Sequence, residues 1–286
     1  MVLEPTLDRD ETLRIIRTAL DEDLRYGPDV TTAATVPLDT RVRATVAARQ
    51  PGVVAGLDVG LLVLDEVIGA DNYEVTERVA DGTPVAAGQS ALTLVAPTRG
   101  LLTAERTMLN LVCHLSGIAT TTAAWVAEVE GTGCAIRDSR KTLPGLRALQ
   151  KYAVRLGGGV NHRMGLGDAA LIKDNHVAAA GSAVAALRAV REAAPDIDCE
   201  VEVDSLEQLD EILGENVELV LLDNFPLWQT QAAVQRRNTK SPNTKLESSG
   251  SLTLDVAADY ARTGVDYLAV GALTHSVRVL DLGLDL

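Results

Sequence analysis

The sequence predicts an α/β protein: a small β-containing N-terminal layer, then parallel strand–helix units that close into a barrel. Three observations lead there. Short apolar runs recur at 134–137, 169–173, 199–203, 218–222, 245–248 and 266–270, with start-to-start spacings from 19 to 35 residues and helical patterns between them. Near-continuous apolar strands of this kind imply a parallel sheet covered on both faces. Right-handed crossovers leave a closed barrel or an open doubly wound sheet. No GxGxxG follows the first strand of the repeat, which weakens the dinucleotide-binding version. Finally, polar residues recur at the C-terminal end of strand after strand, and in an α/β barrel that end is the active-site mouth.

Taken in order, 8–24 has helical spacing at Leu13, Ile16, Leu20 and Leu24, with Asp8 or Asp10 as cap. The TyrGlyProAspVal segment at 26–30 breaks it. Residues 41–49 alternate as a strand, and Arg49 closes it before Gln50-Pro51-Gly52. Residues 57–68 suit an amphipathic helix. Three strands follow at 73–79, 83–85 and 91–95, joined by glycine turns. No lysine sits at a hairpin tip, so a biotinyl- or lipoyl-type carrier is discounted. The longest helical signal, 102–128, is interrupted by Glu105, Arg106, Asn110 and His114, and Gly117 marks a break or a close approach. A buried guanidinium cannot neutralise, so Arg106 needs an anion or water; His114 reads as a satisfied core residue. Beyond it, helices are expected at 143–156, 179–194, 205–213, 226–236 and 252–263, between the strands of the repeat.

Composition narrows the function. The chain has 286 residues, 47% of them apolar, enough for a core. Its formal charge is −14 and aromatics make up 3%, which argues against nucleic-acid binding by phosphate neutralisation or stacking. The opening MVLEPTLDRDETLRII is not a secretory signal, and no apolar run is long enough to span a membrane. Cys113, Cys134 and Cys199 form no CxxC, so free thiols in a reducing cytoplasm are expected.

Against that acidic background, residues 137–173 hold eight Lys or Arg and only two acids, Asp138 and Asp168. Converging cations focus field in a cleft and suit a multiply anionic small molecule. Arg147, Lys151 and Arg155 form a helical stripe that is open between ligand and solvated surface. Arg137, Arg140, Lys141, His162, Arg163 and Lys173 lie at strand ends or after the triple glycine 157–159, where loops carry function. Later strand ends carry Glu202 and Asp223, able to hold Mg²⁺ or accept from ribose hydroxyls. The last two offer Ser248-Ser249-Gly250 and Gly271-Ala272, backbone N–H groups where barrels bind phosphate. The implied ligands are a phosphate ester with a hydroxyl-rich or metal-binding middle and a partner bearing carboxylates.

In order, RDSRKTLPGLRALQKYAV, GGGVNHRMGLGDAALIKDNH, EVEVDS, LLDNF, LESSG and GALTHS resemble the quinolinate phosphoribosyltransferase family, of the actinobacterial, mycobacterial type. DEDLRYGPDVTT and LTAERTMLNLVCHLSGIAT fit the same family, so the resemblance covers nearly the whole chain. Ser139 stands where many relatives have Thr. The resemblance implies an N-terminal α/β sandwich (1–116), an incomplete six- or seven-stranded α/β barrel (117–275) and a tail (276–286) returning to the N-terminal domain. It implies a homodimer, with one subunit's N-terminal domain capping its partner's barrel; association into higher multiples of that dimer is left open. The implied reaction joins quinolinate to 5-phosphoribosyl-1-pyrophosphate with Mg²⁺, giving nicotinate mononucleotide, pyrophosphate and CO₂. By motif, Arg106, Arg140, His162, Arg163 and Lys173 would clamp the quinolinate carboxylates, with Arg106 reaching in from the partner. Lys141, Glu202 and Asp223 would face the donor and metal. Ser249, Gly250 and Gly271 would hold the 5-phosphate, and Arg49 would meet the pyrophosphate. Lys141 and Lys173 are the candidate proton donors to the ylide.

Three rivals use the same residues. One is a Schiff-base enzyme built on Lys173. Another is a sensor of phosphate ligands without turnover. The third is a phosphoribosyltransferase for a monocarboxylate, for which the extra arginines would be superfluous.

Overall fold

The computed structural model describes residues 7–286. The first six, part of the opening read above for a secretory signal, lie outside it. In chain order the elements are α1 (Arg9–Leu24), α2 (Val30–Thr35), β1 (Arg41–Ala48), β2 (Gly52–Val53), α3 (Leu57–Ile68), β3 (Glu74–Arg78), β4 (Pro84–Val85), β5 (Ser90–Pro97) and α4 (Thr98–Glu128). Then come β6 (Ala135–Arg137), α5 (Arg147–Leu156), β7 (Ala170–Ile172), α6 (Asp174–Ala180), α7 (Ala183–Ala193), β8 (Cys199–Val203), α8 (Leu206–Leu213), β9 (Leu219–Asp223), α9 (Leu227–Lys240), β10 (Lys245–Ser249), α10 (Leu254–Arg262), β11 (Tyr267–Ala269), α11 (Ala272–His275) and β12 (Leu282–Asp285). Two compact units form. The first holds the chain up to Ala123 with Thr142–Gly158 and Leu273–Leu286; the second holds Ala124–Lys141 and Gly159–Ala272.

The first unit is built on an antiparallel sheet of order β12-β1-β5-β3. One of its two edge strands, β12, comes from the last residues of the chain, with Val46 opposite Leu284. Asp8 caps α1 by accepting the Glu11 N–H at 3.0 Å. Of the expected apolar stripe Ile16 is buried, joined by Ile15 and Thr12, whereas Leu24 is exposed. The 26–30 segment does more than break the helix, because Asp29 accepts the Thr32 N–H and starts α2. The N-terminus of α3 is held from a distance: Asp81 accepts the N–H groups of Gly56 and Leu57 and the Tyr152 hydroxyl.

Several polar residues of α4 find partners. Ser116 Oγ accepts the Ala55 N–H, and Thr120 Oγ1 accepts that of Val53. His114 lies 2.8 Å from Gln150 Nε2, and burial lowers its pKa, as suits a neutral core imidazole. Of the basic stripe, Lys151 is 1% exposed, so this face of α5 is not a solvated surface. Helix α4 runs unbroken through Gly117, and close approach is the reason for the glycine. A Cβ there would overlap the carbonyl oxygen of Arg278 and stand 2.9 Å from the Cα of Val279. Gly117→Ala is therefore expected to destabilise the fold by about 1–3 kcal/mol, since backbone must move to admit a methyl. A thermal melt compares it with Gly167→Ala, whose Cβ would meet nothing within 4 Å. Equal midpoints for the two would refute the close-approach reading.

The second unit is a six-stranded parallel sheet of order β6-β11-β10-β9-β8-β7. The last strand of the repeat lies beside the first, with Ala269 opposite Arg137. Consecutive neighbours that return to the start describe a barrel, not an open sheet. A single bridge from Val160 to Arg137 on the free edge of β6 supplies a one-residue seventh strand. The expected helix 179–194 is two, because Gly181 at φ +91° ends α6 and Ser182 caps α7.

Strand register sorts the side chains. Leu246, Val220, Leu222, Leu268 and Val201 point outward and are fully buried. Each contributes about 1.5–3 kcal/mol by leaving water. The alternate, inward positions include Arg137, Glu200, Glu202, Asp223, Glu247 and Ser249. The barrel interior is charged where branched apolar residues are usual.

Candidate active site

The mouth is assembled in the second unit from loops after every strand. After β6, the fully buried Asp138 accepts the His162 N–H at 2.8 Å and the Asn161 side-chain amide at 2.5 Å. This ties the loop carrying Ser139, Arg140 and Lys141 to the segment carrying His162 and Arg163. The loop from 163 to 168 is closed by Asp168, which accepts the Met164 and Gly165 N–H groups. Burial alone would raise the Asp168 pKa, but these amides hold it below the usual carboxylate range.

Arg140 and Arg163 are thereby brought together. Arg163 donates one N–H to the carbonyl of Ala169 at 2.9 Å. Burial, and then the charge of Arg140, lower its pKa. The Nε of each arginine is buried with no hydrogen-bond partner. Two neighbouring guanidiniums with unmet donors are unfavourable alone and favourable around an anion.

On the next strands, Lys173 pairs with Glu202 at 2.5 Å. Asp223 accepts from the Asn224 amide at 2.9 Å, and the Asn224 N–H reaches the Ser249 carbonyl at 2.8 Å. Gly250 follows at φ +98°. The first turn of α10 receives no side-chain cap from Thr253, and Gly271 directly precedes α11. The expected residues Arg140, Lys141, His162, Arg163, Lys173, Glu202, Asp223, Ser249, Gly250 and Gly271 all belong to this unit, at or just beyond strand C-termini. Arg49 and Arg106 belong to the first unit. There Arg49 pairs with Asp285 at 2.6 Å, and Arg106 is exposed on α4.

Arg137, grouped by sequence with the strand-end cations, faces inward instead. It donates to Glu247 at 2.7 Å and stacks on Tyr267 at 4.7 Å. Glu200 lies beside it and contacts His162 Nε2 at 2.7 Å. Burial pushes both Glu200 and Glu247 up to about 7; Glu200 adds to the rise at Glu247, and Arg137 opposes both. Sequence reasoning missed Glu200. The available signal was parity: in CysGluValGluVal, Glu200 shares the inward face of Glu202, one layer deeper. A cavity of about 640 Å³ opens beneath this layer, at the N-terminal ends of the strands, among Ala170, Cys199, Leu219 and Lys245. Arg137, His162 and Arg163 also line it, whereas Arg140, Lys141 and Lys173 follow the C-terminal ends of β6 and β7.

The chain matches the family models described as quinolinate phosphoribosyl transferase, N-terminal domain, over 29–116 and C-terminal domain over 118–285. The chain belongs to the quinolinate phosphoribosyltransferase family. Among named members, nicotinate-nucleotide pyrophosphorylase (carboxylating) of Mycobacterium leprae is 71% identical over 271 residues, 95% of each chain. The probable nicotinate-nucleotide pyrophosphorylase (carboxylating) of Bacillus subtilis is 40% identical over 85% of this chain and 82% of its own. In three dimensions, the nicotinate-nucleotide pyrophosphorylase of Francisella tularensis superposes with a TM-score of 0.92 at 34% identity, covering 100% of this chain and 99% of that one. For a family member, a sheet-based N-terminal part and a barrel open by one strand are the expected frame.

Proposed function

We propose that this chain transfers the phosphoribosyl group of 5-phosphoribosyl-1-pyrophosphate to quinolinate with loss of CO₂, forming nicotinate mononucleotide in the de novo route to NAD. The observation that carries this reading is the Arg140–Arg163 pair with its two buried, unmet Nε donors. A ring with two adjacent carboxylates satisfies both cations at once; a monocarboxylate leaves one of them uncompensated. Lys173 is the further cation of this reading, whereas His162, expected as a clamp, spends Nδ1 on the Arg163 N–H and Nε2 on Glu200 and supports Arg163 instead. Arg106, exposed on α4, enters from a second subunit of a homodimer, and Arg49 meets the pyrophosphate.

Ser249, Gly250 and Gly271 hold the 5-phosphate, with the N-terminus of α10 supplying amides and a favourable dipole. Glu202 and Asp223, hard oxygen donors on neighbouring strands, suit Mg²⁺, which takes one or two carboxylates and completes its shell with water and substrate phosphates. Bound there, the ion supplies charge neutralisation for the leaving pyrophosphate.

The pyridine nitrogen is already a free nucleophile, so no general base is needed. Catalysis is positioning and charge stabilisation. The nitrogen forms its bond to ribose C1 as the C1–oxygen bond breaks, and pyrophosphate leaves with the electron pair. The ring, now cationic, accepts the electrons of the C2–carboxylate bond. CO₂ departs, and C2 takes a proton from Lys141 or Lys173. Three free cysteines, two of them buried, suit a reducing cytoplasm. Among the described residues no helix is long and apolar enough to cross a membrane.

The test offers purified protein, phosphoribosyl pyrophosphate and Mg²⁺ with either quinolinate or nicotinate. Nicotinate mononucleotide and CO₂ from quinolinate alone are expected. Product from nicotinate alone would overturn the dicarboxylate assignment while leaving the donor site in place.

A further inference from the structure

His162 is 8% exposed, and both of its ring nitrogens are engaged. Nδ1 stands 2.9 Å from the backbone nitrogen of Arg163, whose N–H can only donate. Nδ1 is therefore the unprotonated, accepting nitrogen. A neutral imidazole must carry its proton on the other side. Nε2–H then points at Glu200 Oε2, 2.7 Å away and acceptor-only in this contact. Glu200 is buried one layer below the mouth, on the inward face of β8. The Arg137–Glu247 pair stands beside it, with Glu247 Oε1 at 3.9 Å from the same ring nitrogen.

This geometry also rules on a second reading of the cluster. His162, Glu200 and Glu247 each offer an atom within 4.8 Å of the others, a spacing open to a metal ion. Metal ligation at Nε2 needs its lone pair, and the hydrogen bond at Nδ1 has placed a proton there. A metal-bound histidine donates from its other nitrogen; here the other nitrogen accepts. The cluster is a hydrogen-bonded support.

We propose that Glu200 is a positioning residue for the transfer reaction: by accepting Nε2–H it fixes the tautomer of His162, and His162 Nδ1 in turn fixes the backbone from which Arg163 enters the anion pocket. The chain of contacts runs from a rigid inner strand, through the ring, to the peptide N–H of Arg163. Arg163 is held at its far end by the Ala169 carbonyl. With both ends set, its unmet Nε keeps one direction. The inference rests on the reading of Arg163 as a quinolinate ligand, but its first step, the tautomer, does not.

Two measurements separate these. The first is a long-range proton–nitrogen spectrum of protein labelled with nitrogen-15 at its four histidines, with His162 identified by the signal lost in His162→Asn. The wild type is expected to show protonated Nε2 and unprotonated Nδ1 with no substrate present. Protonated Nδ1, or an imidazolium, would overturn the proposal whatever the enzyme's activity. The second is kinetic. Glu200→Gln keeps an accepting oxygen and is expected to keep the tautomer and stay within about 3-fold of the wild-type KM for quinolinate. Glu200→Leu removes it and is expected to raise that KM by about 10- to 100-fold, the usual reach of a hydrogen bond at a charged group. The KM for the phosphoribosyl donor should change less than about 2-fold. An unchanged quinolinate KM in folded Glu200→Leu, or equal losses for both substrates, would sink the proposal. A wild type that turns over no quinolinate would instead defeat the functional reading, and the spectrum would still decide the tautomer.

Discussion

Arg140→Ala is expected to lower kcat/KM for quinolinate by about 10²- to 10³-fold, the cost of truncating one member of a buried charge contact. Quinolinate binding in a calorimeter should vanish with it, and no more than a trace of turnover should remain. The same substitution should leave the melting temperature unchanged or raise it. In the free protein Arg140 opposes Arg163, and its Nε is buried without a partner. Removing it relieves a repulsion that, on the proposed reading, quinolinate compensates. Arg140→Lys should recover little, because an ammonium is a point charge and cannot present the paired N–H groups of a guanidinium. Function lost without stability is the signature of a residue kept for its ligand. Near-normal turnover in Arg140→Ala would end the carboxylate-clamp assignment, and a large drop in melting temperature would mark Arg140 as structural.

Gly250→Ala should be damaging by another route. At φ +98° the backbone is in a region that L-residues rarely adopt. A Cβ there would also collide with the side-chain oxygen of Asn224 and stand 3.0 Å from its backbone nitrogen. Strain of this kind costs about 1–3 kcal/mol. It falls on the loop that the proposed reading gives to the 5-phosphate, so the KM for the phosphoribosyl donor should rise about 10-fold or more. Asn224 is itself at φ 55°, which lets a second change dissect the effect. Gly250→Ala with Asn224→Gly removes the side-chain collision and leaves the strain at 250. Partial recovery of donor KM is expected. Full wild-type behaviour in the single variant would show that neither the conformation nor the space at Gly250 matters for the donor.

The two variants are expected to fail through different substrates, and the sequence puts both residues just after strands. Arg140 and Gly250 follow strands whose apolar runs are plain in the chain. Arg137 follows the same logic, and there the logic fails. It ends its run as Lys173 does, yet register turns it inward onto Glu247. In sequence Gly117 fits a kink or a close approach, and the backbone at 278–279 that crosses it decides for the close approach. Lys151 sits in a stripe that solvent could have bathed, and it is buried.

By itself the sequence determined the succession of strands and helices, the barrel they close, and the family. Hydrophobic periodicity acts over neighbouring residues, and right-handed crossovers leave few ways to join the pieces. It also placed the polar residues of the mouth, because chain direction alone puts a strand's last residue at that end. Only the tertiary structure decided what lies beneath them. That Glu200 supports His162, that His162 spends both nitrogens inside the protein, and that Arg140 meets Arg163 all depend on contacts between residues more than 20 positions apart or on one ring's orientation. Such contacts are set by strand register and by the requirement that every buried charge find a partner, and neither leaves a local trace in the chain.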